Sequence, residues 1–449
     1  MEKILQYVIT KDCYKQKIND LEKINNLKQE MIHKYNADDF DFGNKIQYSL
    51  YTQNNKRRKI AQFKNEISDD LIDSRLEYYL TISLNKLILK KSKICFGNRN
   101  KIIFNFFNSL KLLKNFKDYT IIRFDFSSYF DSINSQYVYK KYLSKYDFSK
   151  DQLRCLEKYI SSVKYCKAGL TLSNTLAEII GQAFDSEIKK IFCGILFYSR
   201  YVDDGIIILN QKLSFSDIKQ KLDEAIKHIF FDNSIPEYIF NKTKIDYKKK
   251  FNYITCDTQP QTISYLGYTI NLEYDDKGKL QITLGIAKQK QDKYKNKIKT
   301  LIRKLANNPE KLRIALKLHA RRVVYAVSKN NDEKHWITKG IIYNYKDLFS
   351  FGNNIDHDTK IFLDSLYSKC FNSLRLKIPY YIKDPISNKG YNLYHCLKNN
   401  KAFILDPNIG ISENGLEKLL AIVAPNYNYS NKKYNEKVKQ LLIECNIGY

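Results

Sequence analysis

Apolar and polar positions along this 449-residue chain change period twice. Up to about residue 115 the apolar side chains recur at helical spacing. The polar positions between them are strongly basic, with clusters at Lys56-Arg57-Arg58-Lys59 and Asn98-Arg99-Asn100-Lys101 before the apolar run IIFNFF. Over 116–280, short runs rich in β-branched and aromatic residues (DYTIIRFDF, GILFYSRYV, GIIILN, TISYLGYTINL) alternate with helical stretches, which predicts an α/β-type region with an antiparallel component. Near its end, YDDKGKLQI predicts a hairpin turning at Asp275-Asp276-Lys277-Gly278. Over 281–449 the helical period returns. Tyr294, Ile298, Leu301, Ile302 and Leu305 form one apolar stripe flanked by Lys293, Lys297, Lys299, Arg303 and Lys304, and Asn307-Asn308-Pro309 ends that helix. No exact repeat and no Gly/Ser-rich linker separates the three parts, so they are expected to pack together.

Charge narrows the partners. Lys and Arg number 76 against 48 Asp and Glu, a formal net charge of +28. An AT-rich coding bias toward Lys, Asn, Ile and Tyr accounts for part of this. The remainder points to a polyanion, nucleic acid first, since Lys and Arg displace the counterions condensed on phosphates. A membrane is not expected, because no apolar run reaches the roughly 18–20 residues needed to span a bilayer. The start, MEKILQYVITKDCYKQK, lacks the pattern of a signal peptide. The 9 cysteines fall in no C-x-x-C or zinc-ligand spacing, so they read as reduced thiols of a cytoplasmic protein. With one Trp but 36 Tyr and 25 Phe, the core and any stacking surface must be built from Tyr and Phe.

Two segments carry candidate chemistry. In Arg200-Tyr201-Val202-Asp203-Asp204-Gly205, adjacent acids sit between two apolar β-type runs, as at the turn of a hairpin. An ordinary solvated Asp-Gly turn would have the same look. In Phe124-Asp125-Phe126-Ser127-Ser128-Tyr129-Phe130-Asp131-Ser132-Ile133, Asp125 interrupts a buried strand pattern, which is costly unless the carboxylate is paired or binds metal. Asp131 reads more simply as a helix cap. Two neighbouring strands bringing Asp125 beside Asp203 and Asp204 would suit two Mg²⁺ ions about 3.5–4 Å apart, the arrangement used for nucleotidyl transfer.

Tyr201-Val202-Asp203-Asp204 resembles the Y-x-D-D motif of reverse transcriptases, and Asp125–Ile133 is similar to their first palm motif, D-x-x-x-x-F-D-S-I. The resemblance covers roughly residues 95–300. It implies an α+β right-hand polymerase: basic, largely helical fingers (1–115), a palm with an antiparallel sheet (116–280), and a thumb with an all-α, helical-repeat-like C-terminal domain (281–449). It implies catalytic Asp125, Asp203 and Asp204, with Phe126 adding a backbone carbonyl ligand to two Mg²⁺ ions (Mn²⁺ as the substitute). Phe130 matches the steric gate that selects deoxynucleotides. Gly169-Leu-Thr-Leu-Ser173 through Glu178 resembles the loop and helix that contact template and incoming nucleotide, and Arg99 and Lys101 are candidates for gripping the triphosphate. Asn241-Lys242-Thr243-Lys244 is similar to a later N-x-x-K segment, which makes Lys244 a candidate general acid. Ser264-Tyr265-Leu266-Gly267-Tyr268 resembles the primer grip.

Lys167-Ala168-Gly169 departs from the Pro-Gln-Gly triplet usual before the Ser of the template loop. That departure, the Leu-Ala-Glu ending at Glu178 and the long helical tail resemble the bacterial abortive-infection and defence-associated branch. The resemblance implies DNA synthesis from dNTPs that is either RNA-directed or template-independent, in antiphage defence. A template RNA or noncoding RNA and the DNA product would be the partners, with assembly into small homo-oligomers. Some of that branch prime on a tyrosine hydroxyl; Tyr7 and Tyr14 are candidates. The alternatives are a retron-like or group II intron-like templated enzyme, although no V-T-G tripeptide or Cys/His-rich nuclease segment is present, and a non-catalytic RNA-binding protein with a relict palm.

Overall fold

The computed structural model describes residues 5–6, 21–43, 46–53, 56–63, 72–230, 246–247, 251–257, 261–329, 333–352, 354–374, 376–383 and 392–447. Helix and strand are mixed along the chain. It divides into two compact units, 1–102 with 115–256, and 103–114 with 257–449.

The longer elements of the first unit are α1 (Leu21–Asn36), β1 (Ile46–Gln53), β2 (Lys56–Phe63), α2 (Ile72–Ser92), the first turn of α3 (Arg99–Leu112), β3 (Thr120–Asp125), α4 (Lys150–Ser162), α5 (Thr171–Ile191), β4 (Ile195–Tyr201), β5 (Asp204–Leu209), α6 (Phe215–Phe230) and β6 (Asn252–Thr255). Four strands form an antiparallel sheet in the order β4-β5-β3-β6. The expected runs become its three longer strands, because Ile- and Phe-rich segments fit a pleated surface buried on at least one side. Ile122 and Phe124 of β3 and Ile207 and Leu209 of β5 join Ile180 and Phe184 of α5 and Leu222 and Phe230 of α6 in one buried cluster. Its centre is aromatic: the ring centroids of Phe126 lie 5.2 Å from Phe184 and 5.6 Å from Phe230. Each such buried ring contributes about 1.5–3 kcal/mol, and the near-absence of Trp leaves that work to Phe and Tyr. Helix α4 starts in a capping box between Ser149 and Gln152.

The basic N-terminal part is not simply helical. β1 and β2 pair over Ile46↔Phe63 to Gln53↔Lys56, so the Lys56–Lys59 cluster lies on a strand of a hairpin. IQYSLYTQ alternates with period two, as a strand of this hairpin requires.

In the second unit, residues 103–114 join β7 (Gln261–Tyr265), β8 (Tyr268–Tyr274) and β9 (Leu280–Ile286), an antiparallel meander. The β8–β9 connection turns where expected: Gly278 has φ +71° and the Asp275 carboxylate accepts from the Lys277 and Lys279 amides. Helix α7 (Lys288–Leu305) buries Ile298, Leu301, Ile302 and Leu305 of the predicted stripe, with Tyr294 half-buried. Asn308 then caps α8 (Pro309–His319).

The expectation of an all-α C-terminal region is corrected beyond that point. β10 (Arg322–Lys329) pairs antiparallel with β11 (Glu333–Lys339) and parallel with β12 (Ala402–Leu405). In β10 the alternating Val323 and Tyr325 are buried. The parallel partner lies some eighty residues away in sequence, so local periodicity could not reveal the sheet. The remaining longer helices are α9 (His357–Leu374), α10 (Glu413–Val423) and α11 (Tyr434–Glu444).

Candidate active site

β3 and β5 run antiparallel with Asp125 directly opposite Asp204. Such cross-strand partners have Cα atoms about 4.5–5.5 Å apart. Alternate side chains of a strand point to opposite faces. Ile122 and Phe124 enter the aromatic core, so Arg123 and Asp125 occupy the other face, as does Asp204 across from them. Asp125 is 8% exposed, and its apolar neighbours on the chain are buried behind it. Arg123 forms a fork with Asp204, Nε to Oδ1 at 3.1 Å and Nη2 to Oδ2 at 3.3 Å.

The β4–β5 turn carries Asp203, next to Asp204 at the start of β5. Val202 sits at its tip with φ +60°, a strained value for a β-branched residue. The Asp203 carbonyl accepts from the Phe126 amide at 2.9 Å, which fastens the turn to the end of β3. Gly205 does not serve the turn at all. It lies inside β5 opposite Phe124, and a Cβ there would come within 2.2 Å of the Phe124 ring. The solvated Asp-Gly turn weighed from the sequence is therefore not what forms. Asp125, Asp203 and Asp204 thus all lie at one end of the sheet.

The other expected site residues have varied surroundings. Phe130 is half-buried in a 3-10 turn, Phe130–Ser132, edge-on to the Tyr129 ring. Gly169 has φ +107°, and a Cβ there would meet the Ala61 carbonyl at 2.4 Å; the Ala168 carbonyl accepts from the Ala61 amide. The loop before α5 is thus held to β2 of the basic hairpin. Ser173 faces the core: it is fully buried and its hydroxyl lies 3.0 Å from the Tyr159 hydroxyl. Arg99 is half-buried and Lys101 exposed at the start of α3. The preceding Gly97 lies against the Arg200 backbone and the Tyr201 ring. Asn241, Lys242, Thr243 and Lys244, together with Tyr7 and Tyr14, fall outside the described residues.

In the second unit, Leu266 and Gly267 make the tip of the β7–β8 hairpin with φ +46° and +90°, the two successive positive values of a tight hairpin turn. The Gly267 carbonyl accepts from the Ala287 amide and the Tyr345 hydroxyl, and Tyr268 is fully buried.

Sequence reasoning missed Arg200. Its side chain is 1% exposed and pairs with Glu178 at 3.0 Å and Asp185 at 2.7 Å, both on α5. The signal was present: an arginine interrupting the run GILFYSRYV must find partners for the same reason as Asp125.

No protein-family model matches the chain, and no curated protein does. Among solved structures, an apo telomerase from Candida tropicalis truncated from its C-terminal domain matches at 15% identity and TM-score 0.34, over 50% of this chain and 53% of that one. A telomerase from Candida albicans in complex with a TWJ fragment of telomeric RNA matches at 13% identity and TM-score 0.38, over 88% and 65%. The apo telomerase from Candida tropicalis matches at 14% and 0.33, over 56% and 51%. The chain thus spans about half to two-thirds of the length of these structures. Likeness at that level decides neither fold nor activity, so the functional reading rests on the sheet and its carboxylates. No helix of the described residues is long and apolar enough to cross a membrane.

Proposed function

We propose that this chain is a DNA polymerase of the reverse transcriptase type, with the β4-β5-β3-β6 sheet as its palm and Asp125, Asp203 and Asp204 as its acidic centre. The observation that carries the reading is the register pairing of Asp125 with Asp204, next to the turn that holds Asp203. A basic chain with hard carboxylate oxygens at one sheet end suits nucleoside triphosphates and nucleic acid as substrates.

Hard carboxylate oxygens are the donors that Mg²⁺ takes. Among the described residues no group of three His, Cys, Asp or Glu side chains is placed to hold a metal ion by itself. Mg²⁺ prefers one or two carboxylates completed by substrate phosphates and water. Asp125 and Asp203, with the Phe126 carbonyl, would hold the ions. When bound, the ions supply charge neutralisation for the attacking and leaving oxygens of an in-line displacement. The chain's own residues do the rest. The Phe126 amide bonded to the Asp203 carbonyl keeps the two motifs together. Arg123 neutralises Asp204 and fixes its orientation. Phe130, in the first palm motif, would refuse a ribose 2′-hydroxyl. The attacking hydroxyl is the 3′-hydroxyl of a primer, or a tyrosine of the protein at initiation; its oxygen bonds to the dNTP α-phosphorus as the α–β phosphoanhydride bond breaks and pyrophosphate leaves. Synthesis copies an RNA or proceeds without a template, and the role is antiphage defence by abortive infection in the cytoplasm.

The test is incubation of the full chain with labelled dNTPs and Mg²⁺, with and without RNA template and primer. Wild type incorporates label. Asp125→Asn and Asp203→Asn lose more than the roughly 10–100-fold that weaker, indirect metal contacts are worth. Failure of wild type to incorporate under every primer condition would leave a non-catalytic RNA-binding protein as the better reading.

A further inference from the structure

We infer that Arg200 is the positioning residue of this site, a buried clamp that holds the strained Tyr201–Asp204 turn in its carboxylate-presenting shape and ties it to helix α5. The inference rests on the polymerase reading above, but its geometry stands independently. The Arg200 guanidinium donates from Nη1 to the Val202 carbonyl at 2.7 Å and to Glu178 Oε2 at 3.1 Å. Nη2 donates to Glu178 Oε1 at 3.0 Å and to Asp185 Oδ2 at 3.1 Å, and Nε to Asp185 Oδ1 at 2.7 Å. All five bonds are made by a side chain with almost no water contact.

The acceptor on the turn is telling. Val202 is the one residue of the turn with positive φ, a conformation that β-branched side chains resist. Its carbonyl is the group Arg200 grips. A charge-assisted bond to that carbonyl offsets the strain at the point where it is stored. The other side of the guanidinium is fixed by two carboxylates about two turns apart on α5, and Asp185 is held in addition by the Tyr198 hydroxyl at 2.7 Å. The Tyr129 hydroxyl donates to the Ala177 carbonyl at 2.8 Å, so the first motif is tied to the same stretch of α5. Room for the clamp is made by Gly181, where a Cβ would stand 2.4 Å from the guanidinium carbon. Burial pulls the guanidinium's pKa down, but Tyr129, Asp185 and Glu178 raise it well above the usual arginine value. Leu-Ala-Glu at 176–178, distinctive in the sequence, thus acquires a physical purpose: its glutamate anchors the arginine that anchors the acidic turn.

The test compares wild type, Arg200→Lys, Arg200→Met and Arg200→Met/Val202→Gly as full chains. The measurements are nucleotide incorporation, melting temperature, and amide hydrogen exchange of peptides covering 199–206 and 119–125. Arg200→Met is expected to lower kcat at least tenfold with KM for dNTP within twofold. Exchange in 199–206 is expected to rise at least tenfold while 119–125 is unchanged. Arg200→Lys falls between. Adding Val202→Gly restores at least threefold of the lost kcat, because glycine is at ease with positive φ; a residue that only filled the core would not be rescued by relaxing the turn. A folded Arg200→Met with wild-type exchange in 199–206 overturns the inference, as does equal acceleration in both peptides or no rescue. If Arg200→Met does not fold, Glu178→Gln and Asp185→Asn are read by the same criteria. If wild type makes no DNA, the polymerase reading falls, while the exchange comparison still judges the clamp.

Discussion

Gly205→Ala tests the site's construction most sharply. Gly205 lies in β5 opposite Phe124 and one residue after Asp204. A Cβ added there would stand 2.2, 2.5 and 2.7 Å from three ring atoms of Phe124, against the roughly 3.5–4.0 Å at which carbon atoms pack favourably. The ring must therefore retreat by more than about 1 Å. It has little space to do so, being fully buried with Phe126 and Phe184 centroids at 5.5 and 5.9 Å. Overpacking of this kind costs about 1–3 kcal/mol. At about 2–4 °C per kcal/mol for a unit of this size, the melting temperature should fall by roughly 4–8 °C for a 2 kcal/mol loss. Phe124 precedes Asp125, so the displacement passes directly to a carboxylate of the proposed centre, where a misplacement near 1 Å can cost about a hundredfold in rate. Thermal melting and single-nucleotide incorporation measure the two effects. A second change, Phe124→Leu, should recover part of both. A Gly205→Ala chain that melts within about 1 °C of wild type and incorporates at the same rate would refute the packing argument.

Two further outcomes follow from other parts of the chain. Gly169→Ala introduces a side chain at φ +107° and drives it onto the Ala61 carbonyl; positive φ alone costs roughly 1–2 kcal/mol, so limited trypsin digestion should cut faster in the 46–63 hairpin. In the second unit, burial, with the Lys297 charge adding to it, pushes His319 down to about 4, and its Nε2 lies 3.0 Å from the Cys445 carbonyl. The unfolded chain takes up this proton near pH 6.5 and the folded chain only near 4, so stability is intact above about 6.5 and lost as pH falls toward 4. The loss is on the order of 3 kcal/mol. Denaturant melts at pH 7 and 5 should reveal it, and His319→Gln should flatten the difference.

The sequence by itself determined the longer strands of the four-stranded sheet, the β8–β9 hairpin, and the three candidate acids. These are short-range matters. Period-two runs of Ile and Phe, an Asp-Asp-Lys-Gly turn and a carboxylate in an apolar strand each declare themselves within ten residues. Tertiary structure alone decided that Asp125 faces Asp204, since register is a property of two strands some eighty residues apart. It also decided that Gly205 yields to a phenylalanine ring and that Ser173 belongs to the core. The β10–β12 pairing, which breaks the expected helical tail, and the Arg200 bridge between α5 and the acidic turn come from the same source. A buried charge can be noticed in a sequence, but the groups that make its burial tolerable are gathered only by folding.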